Sequence, residues 1–281
     1  MDLASLGIRI ERSENLPVLS QAASQILRLV DHPDVSSHQV EAAIQKDSAI
    51  TAKILKVANS AFYGANGVPT VGRAVAVIGM NSVQSLVVGI TFQQMAANKM
   101  ECPNFGKLEF WRHSLAVATA ARIIGKLTMA SKAEELYCAG MMHDIGLLVM
   151  DRFLPKIFET NLKLCQKLKQ PLYKIENQTL GYDHCTVGGL LAEKWSLTKI
   201  IKHAIEFHHN PALDGEYYET TCVIAAADAL AHQCGFTNSV PGVAYEIDTE
   251  VAEAIGLPTE QFAAIQDVVI SEVNRAQEAY R

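Results

Sequence analysis

Residues 136–150 read LYCAGMMHDIGLLVM, an apolar stretch of helical length that two adjacent polar residues, His143 and Asp144, interrupt. Ser131 and Glu134 precede it with the S-x-x-E spacing of a capping box, so we predict one helix across residues 136–150. Burying an unpaired histidine or aspartate costs free energy, so both side chains must find partners inside the fold. Two interpretations stay open: a hydrogen-bonded pair of core residues, or ligands of a metal ion.

Apolar residues recur at helical spacing on both sides of this stretch, and alternation of period two is almost missing. The chain is therefore predicted to be all-α. Residues 71–78 are short and apolar enough for a strand, but their flanking residues favour a short helix. Predicted helices cover residues 16–30, 81–98, 109–129, 136–150, 183–195, 198–209, 220–234, 249–255 and 259–280. Two more are predicted, one capped by Ser36 or Ser37 and one capped by Ser48.

The domain organisation is indicated by the length of the chain and by one loop. A chain of 281 residues suggests one large domain or two modest ones. Residues 102–106, CPNFG, carry the strongest boundary signal in the first half. We predict an N-terminal helical part over residues 1–105, followed over residues 106–281 by a helical bundle with a C-terminal helical extension.

The composition excludes several classes of protein. Hydrophobic residues make up 49% of the chain and charged residues 19%, which excludes intrinsic disorder. The net charge of -6 does not favour electrostatic binding to the negatively charged backbone of DNA or RNA, so no nucleic-acid partner is expected. Walker A, GxGxxG and GxSxG motifs are missing, which excludes the kinase, dehydrogenase and serine-hydrolase classes as hypotheses.

Three features predict a cytoplasmic protein. The six cysteines form no CxxC pair, as is typical of reduced thiols in a reducing compartment. The N-terminus has no basic head followed by an apolar run, so no signal peptide is expected. Residues 74–98 are uncharged and long enough to span a bilayer, but interspersed polar residues and glycines favour a buried helix pair over a membrane span.

Further histidines and one aspartate lie within or at the ends of predicted helices. Each alone has an ordinary interpretation as a core or surface side chain. Together with His143 and Asp144 they are harder to explain that way, because imidazole and carboxylate groups are the usual ligands of iron, manganese, zinc and nickel. A helical bundle can aim such groups at one internal point. The additional candidates are His113, His184, His208, His209 and Asp228.

At these residues the chain resembles the HDOD domain family, which belongs to the HD superfamily of metal-dependent phosphohydrolases and is related to HD-GYP domains. The resemblance begins with LPVLSQAASQILRLVDHPDVSSHQVEAAIQKDSAITAKILKVANSAFYG at residues 16–64 and VGRAVAVIGMNSVQSLVVG at residues 71–89. It continues with WRHSLAVATAARIIG at residues 111–125, with the stretch quoted first, and with HCTVGGLLAEKWSLTKIIKHAIEFHH at residues 184–209. It extends to about Asp228, and the last ~50 residues carry no specific signature.

The resemblance implies a helical bundle of HD type and a metal centre. The family pattern implies one or two divalent ions, with iron, manganese, nickel and zinc all compatible. By that pattern one metal position takes His113, His143, Asp144 and Asp228, and the other takes His184, His208 and His209 with Asp144 bridging. HDOD domains are regarded chiefly as bacterial signalling modules, whereas HD-GYP domains hydrolyse cyclic di-guanylate.

Two functions follow from the resemblance and stay open. Leu147 occupies the position where the HD-GYP branch has a lysine, Asn210 stands where an acidic residue is expected, and the GYP motif is missing. These departures favour a signal-transduction module that acts through a partner protein or through self-association into a homo-oligomer. The complete ligand set favours the alternative, a metal-dependent phosphohydrolase that binds a nucleotide or cyclic dinucleotide and depends on Asp144.

Overall fold

The computed structural model of the chain describes residues 1–13, 25, 36–60, 67–97, 101–241 and 246–280. These residues form helices and connecting loops and contain no strand, which confirms the all-α prediction. The helix predicted over residues 16–30 lies outside the described residues, apart from position 25. In chain order the first helices are α1 (Leu3–Arg12), α2 (Ser37–Gln45), α3 (Ser48–Ala58), α4 (Val71–Ile78), α5 (Met80–Ala96), α6 (Lys107–Thr128) and α7 (Ala133–Met142).

The remaining helices build the second half of the fold. They are α8 (Ile145–Phe153), α9 (Pro155–Leu168), α10 (Leu172–Leu180), α11 (His184–Lys194), α12 (Lys199–Phe207), α13 (Tyr218–Gln233), α14 (Thr249–Ala254) and α15 (Thr259–Tyr280). Short 3-10 turns at Ala130–Lys132 and Pro211–Leu213 precede α7 and α13. Helix α15 has the predicted bounds, while α1, α9 and α10 are helices that the sequence pattern did not single out.

Polar side chains set several of the helix starts. Ser36 caps α2 in a capping box with Gln39. The side chain of Asp47, rather than the predicted Ser48, caps α3 by accepting hydrogen bonds from two backbone N–H groups. Between α4 and α5, Gly79 has a φ of 87°, a left-handed conformation that glycine adopts without steric cost. The two helices therefore turn sharply at a single residue.

The prediction of one helix across residues 136–150 is wrong in one respect, because the structure has two helices there, separated at His143 and Asp144. Helix α7 ends just before this pair and α8 begins just after it. His143 Nδ1 lies 2.7 Å from the carbonyl oxygen of Gly140, one turn back in α7. The predicted capping box is also wrong, since the carboxylate of Glu134 accepts a hydrogen bond from Ser85 instead. The break lets two polar side chains leave an otherwise apolar helix and point into the interior.

Helix α6 is the central element of the bundle. It packs along α7 on one side and α13 on another, and it also contacts α15. Helix α11 packs between α8 and α12. The buried apolar side chains of the described N-terminal helices and of the bundle belong to one continuous core. The division at residue 105 stays a prediction.

The N-terminal helix packs on the bundle. Helix α1 packs against α11. The Lys194 ammonium, at the end of α11, donates to the carbonyl oxygens of Glu11 and Ser13 at 3.0 and 3.1 Å. Tyr182 donates a hydrogen bond of 2.8 Å to the carbonyl oxygen of Met1. Helix α1 thereby covers the outer side of the helix that begins at His184.

Among the described residues, no single helix is both long enough and apolar enough to cross a bilayer. Helices α4 and α5 meet the length and composition criteria only as a pair, and they are bent by 118° relative to one another. Most of the side chains of α5 are buried against other helices of the protein. The helix pair predicted for residues 74–98 is therefore present, divided at Gly79.

Helices α8 and α11 approach each other closely at two glycines. A Cβ atom on Gly146 would overlap the carbonyl oxygen of His184. A Cβ atom on Gly188 would lie 2.5 Å from a methyl carbon of Ile205 and 3.2 Å from the backbone nitrogen of Gly146. The absence of side chains at both positions lets the start of α11 lie directly against the start of α8. This contact brings His184 beside Asp144.

We expect Gly146→Ala to lower the free energy of unfolding of the metal-free protein by about 2 to 3 kcal/mol, because overpacking a backbone contact forces helices apart. Denaturant titration followed by circular dichroism measures this change. Gly215→Ala is the matched control, since a Cβ atom there meets open space, and its effect should stay within about 0.5 kcal/mol. Equal effects of the two substitutions would contradict the close approach.

Candidate metal centre

The seven side chains predicted as ligands meet in the interior of the bundle. They come from five separate places in the chain, so the cluster exists only in the folded chain. His113 lies in the middle of α6, and His143 and Asp144 form the break between α7 and α8. His184 is the first residue of α11, His208 and His209 directly follow α12, and Asp228 lies within α13.

The first group of ligand atoms lies between α6, α13 and the helix break. His113 Nε2 lies 3.1 Å from Asp228 Oδ1, and His143 Nε2 lies 3.9 Å from the same oxygen. One ligand atom from each of these three residues lies within 4.8 Å of the others. All three atoms are buried, and none has a hydrogen-bond partner outside the cluster among the described residues. Buried polar atoms without partners are costly, so this group fits a bound cation.

The second group lies between α11 and the end of α12. His184 Nε2 and His209 Nε2 are 3.2 Å apart. Two nitrogens bound to one tetrahedral ion at the usual Zn–N length would be about 3.3 Å apart. Neutral imidazoles that face each other at this distance can share one hydrogen bond or bind one ion. The spacing therefore fits metal coordination.

Asp144 connects the two groups. Its Oδ2 lies 3.4 Å from His143 Nε2 and 3.9 Å from His113 Nε2. Its Oδ1 lies 3.4 Å from His184 Nε2 and 3.5 Å from His208 Nε2. Each carboxylate oxygen thus faces one group, which is the arrangement a carboxylate needs to bridge two ions.

In four histidines the Nδ1 atom, on the outer side of the cluster, makes a hydrogen bond. The Nε2 atom, on the inner side, is therefore available as a ligand. A hydrogen bond at Nδ1 sets the tautomer and the orientation of a ligating imidazole. For His184 the partner is the buried carboxylate of Glu176, at 2.6 Å from Nδ1, which also accepts from the His184 backbone N–H. The other Nδ1 atoms face carbonyl oxygens: His113 that of Phe236, His143 that of Gly140, and His208 those of Ala204 and Ile205.

Burial and mutual contacts shift the pKa values of the clustered side chains. Burial alone would raise the pKa of Asp144, but the facing His143, His184 and His208 hold that pKa well below its ordinary value. Burial and the neighbouring His208 and His184 lower the pKa of His209 well below the usual histidine range. An ionised Asp144 and a neutral His209 are thus favoured at neutral pH. Burial alone would lower the pKa of His184 and His208, but neighbouring acidic side chains raise it well above the usual histidine range, so a metal ion must displace protons from these two rings.

Four residues of the centre were not predicted from the sequence. His232 Nε2 lies 3.5 Å from Asp228 Oδ1, one helical turn further along α13, and this i,i+4 spacing was the one available signal. Asn238 donates a 2.7 Å hydrogen bond to Asp144 Oδ2. The other two, Glu176 and Cys185, had no distinguishing pattern.

A narrow cavity leads to the second group from the surface. Its volume is about 190 Å³. The ring of Tyr173 stacks on that of His209, with 4.6 Å between the centroids and 22° between the planes. The lining residues are Leu147, Pro171, Leu172, Tyr173, His184, His209, Asn238 and Val240. No lysine or arginine is among these described lining residues.

Comparison with known proteins identifies relatives of this chain. A family model for the HDOD domain matches residues 16–211. An uncharacterized protein from Treponema pallidum (strain Nichols) is 24% identical over 222 residues, which are 78% of this chain and 42% of that protein. The chain therefore spans about two fifths of the length of the curated relative it matches.

Three solved structures share the fold. An HDOD domain protein of unknown function from Geobacter sulfurreducens has a TM-score of 0.80 at 23% identity, with 97% of this chain and 95% of that chain covered. A protein from Marinobacter aquaeolei VT8, named as a candidate signal transduction protein, has a TM-score of 0.79 at 22% identity, with 94% and 59% covered. A candidate phosphohydrolase from Shewanella amazonensis SB2B has a TM-score of 0.73 at 22% identity, with 97% and 98% covered.

We expect Asp144→Ala to weaken metal binding at both positions, because Asp144 faces both groups of ligands. His113→Ala should weaken binding only at the first position. Elemental analysis of protein purified without chelator or nickel affinity, followed by titration with one divalent metal, measures the number of bound ions. The bridging geometry would be contradicted if Asp144→Ala and His113→Ala lost the same number of ions.

Glu176→Gln tests how far the outer hydrogen bonds tune the centre. The substitution removes the negative charge beside His184 while keeping a similar shape, and loss of such a partner costs about 10- to 100-fold in metal affinity. Calorimetric titration of the metal-free protein measures the change. Glu193→Gln on the exposed side of α11 is the control and should leave the affinity within about 2-fold. An unchanged affinity in Glu176→Gln would rule out this role.

Proposed function

The chain belongs to the HDOD domain family, and from this membership we propose that it is a signal-transduction module built around a histidine/aspartate metal centre. The centre holds one or two divalent ions, and its ligands are those assigned above. Output is transmitted through contact with a partner protein or through self-association. The protein is proposed to work in the cytoplasm, which agrees with the free state of all six cysteines.

The geometry of the ligand atoms supports the metal centre. Three buried ligand atoms of the first group lack hydrogen-bond partners outside the cluster among the described residues, and the two facing imidazole nitrogens of the second group have the spacing of bound ligands. Imidazole and carboxylate donors suit iron, manganese, zinc and nickel alike, so the donor set supports a divalent metal without selecting one.

The entrance cavity is the observation that favours signalling over hydrolysis. Its volume of about 190 Å³ lies below the range of about 300–1,000 Å³ typical of small-molecule sites. Leu147 is fully buried and forms part of its wall, at the position where a lysine would offer a positive charge. A phosphate ester carries negative charge, and the described lining offers it no cationic side chain. A nucleotide or cyclic dinucleotide fits this entrance poorly in size and in charge.

Two lysines of α12 do not supply the missing charge. Lys199, at the start of α12, pairs with Glu216 at 2.8 Å, and Lys202 lies 3.5 Å from Glu193. Both pairs are on the solvent side of α12, and neither lysine lines the cavity. Both lysines thus form surface ion pairs on the solvent-facing side of α12.

The alternative function is a metal-dependent phosphohydrolase, favoured by the completeness of the ligand set. A bound divalent ion would polarise a phosphoryl oxygen and lower the pKa of a coordinated water. In such an enzyme, this chain's Asp144 would orient both metal positions. His209 and Tyr173, stacked at the mouth of the cavity, would be the protein groups that meet the substrate.

Turnover assays separate the two functions. Metal-loaded protein is incubated with nucleotides, cyclic dinucleotides and a generic phosphodiester, and Asp144→Ala serves as the control. We expect no turnover above background with any of them. Turnover that falls by several orders of magnitude in Asp144→Ala would overturn the signalling proposal in favour of the enzyme, because the metal generates the nucleophile.

A second experiment tests the signalling function directly. Metal-loaded wild-type protein and the Asp144→Ala variant are first used as baits in pull-down experiments. Each candidate partner is then purified, and its affinity for the two forms is measured. We expect one purified partner, or a second copy of the chain, to bind the metal-loaded wild type at least ~10-fold more tightly. Equal affinities for the two forms would contradict a role of the centre in signalling.

A further inference from the structure

Cys185 lies inside the centre beside three of its histidines. It is the second residue of α11, directly after His184, and only 4% of it is exposed. Its Sγ lies 3.9 Å from His208 Nδ1 and 4.0 Å from His208 Nε2. Any small apolar residue could be buried at this place, so burial alone does not indicate a role for the thiol. The short distance between the sulfur and the imidazole of His208 does.

The sulfur shares one coordination volume with the second group of ligands. One ligand atom each from His184, Cys185, His208 and His209 lies within 4.8 Å of the other three. A sulfur and a nitrogen bound to one tetrahedral zinc ion would be about 3.6 Å apart at the usual bond lengths. The 4.0 Å between Cys185 Sγ and His208 Nε2 exceeds this value by a few tenths of an ångström, so a small rotation of the Cys185 side chain completes the site.

We propose that Cys185 is a metal ligand, supplying a thiolate to the position formed by His184, His208 and His209. This inference rests on the proposed metal centre and adds a donor that neither the ligand order nor the family resemblance assigns. On binding, the thiol releases its proton to solvent and the sulfur lone pair forms the bond to the ion, so no oxidant or reductant is required.

The thiolate makes the two metal positions chemically different. The first position has two imidazoles and carboxylate oxygens, while the second has three imidazoles and one sulfur, with Asp144 shared. A soft sulfur ligand favours zinc or iron over manganese and magnesium. The second position is therefore expected to select the softer ion when two metals are offered together.

Cobalt(II) is the probe that tests this assignment. Wild-type protein loaded with cobalt(II) should show a near-ultraviolet sulfur-to-cobalt charge-transfer band. Cys185→Ser should lose that band, since oxygen gives no such absorption, while the first position still binds cobalt. Cys222→Ser is the matched control, because Cys222 is equally buried but lies near the start of α13, away from the cluster. It should keep the band at full intensity.

A measurement on the unmodified protein keeps the test independent of variant folding. X-ray absorption of zinc-loaded wild type should contain a sulfur scatterer at about 2.3 Å alongside the nitrogen ligands. Bound metal without either sulfur signature would overturn the Cys185 assignment and leave the proposed centre intact. Failure of the wild type to bind cobalt or zinc at all would overturn both the centre and the thiolate.

Discussion

A buried carboxylate is the constraint on which the rest of the structure depends. Asp144 is 2% exposed, yet its surroundings hold it in the ionised form. An ionised carboxylate is tolerated in an interior only where opposite charges or hydrogen bonds compensate its loss of hydration. Imidazoles from three directions and the amide of Asn238 provide that compensation. The helices that carry these groups must therefore cross within reach of one pair of oxygens.

Apolar packing makes this arrangement rigid enough to serve as a site. Helices α6, α7 and α13 share a continuous core, so His113 and Asp228 are positioned by helices rather than by loops. The glycine contact between α8 and α11 places His184 directly opposite the helix break. Hydrogen bonds at the outer nitrogens then orient the rings. The ligand positions are thus set before any ion binds, which lowers the entropic cost of binding.

The function follows from the site rather than from the fold, because one fold supports several activities. The ligand set is shared by signalling and hydrolytic interpretations alike. The proposal for signalling rests on the cavity beside the second group, which is small and has no lysine or arginine among its described lining residues. The thiol of Cys185 lies beside only one of the two groups of candidate ligands, so the two groups differ in their chemistry.

The sequence by itself determined the helical class, many of the helix bounds and the set of candidate ligands, because helical periodicity and ligand-type residues are local signals. It did not reveal the break at His143 and Asp144, since the apolar pattern continues through it and only tertiary partners make the interruption favourable. Glu176 and Cys185 have no local pattern, and their roles arise from neighbours on other helices. The tertiary structure alone decided which of the candidate side chains lie together and how narrow the cavity beside them is, because both depend on distances between residues far apart in the chain.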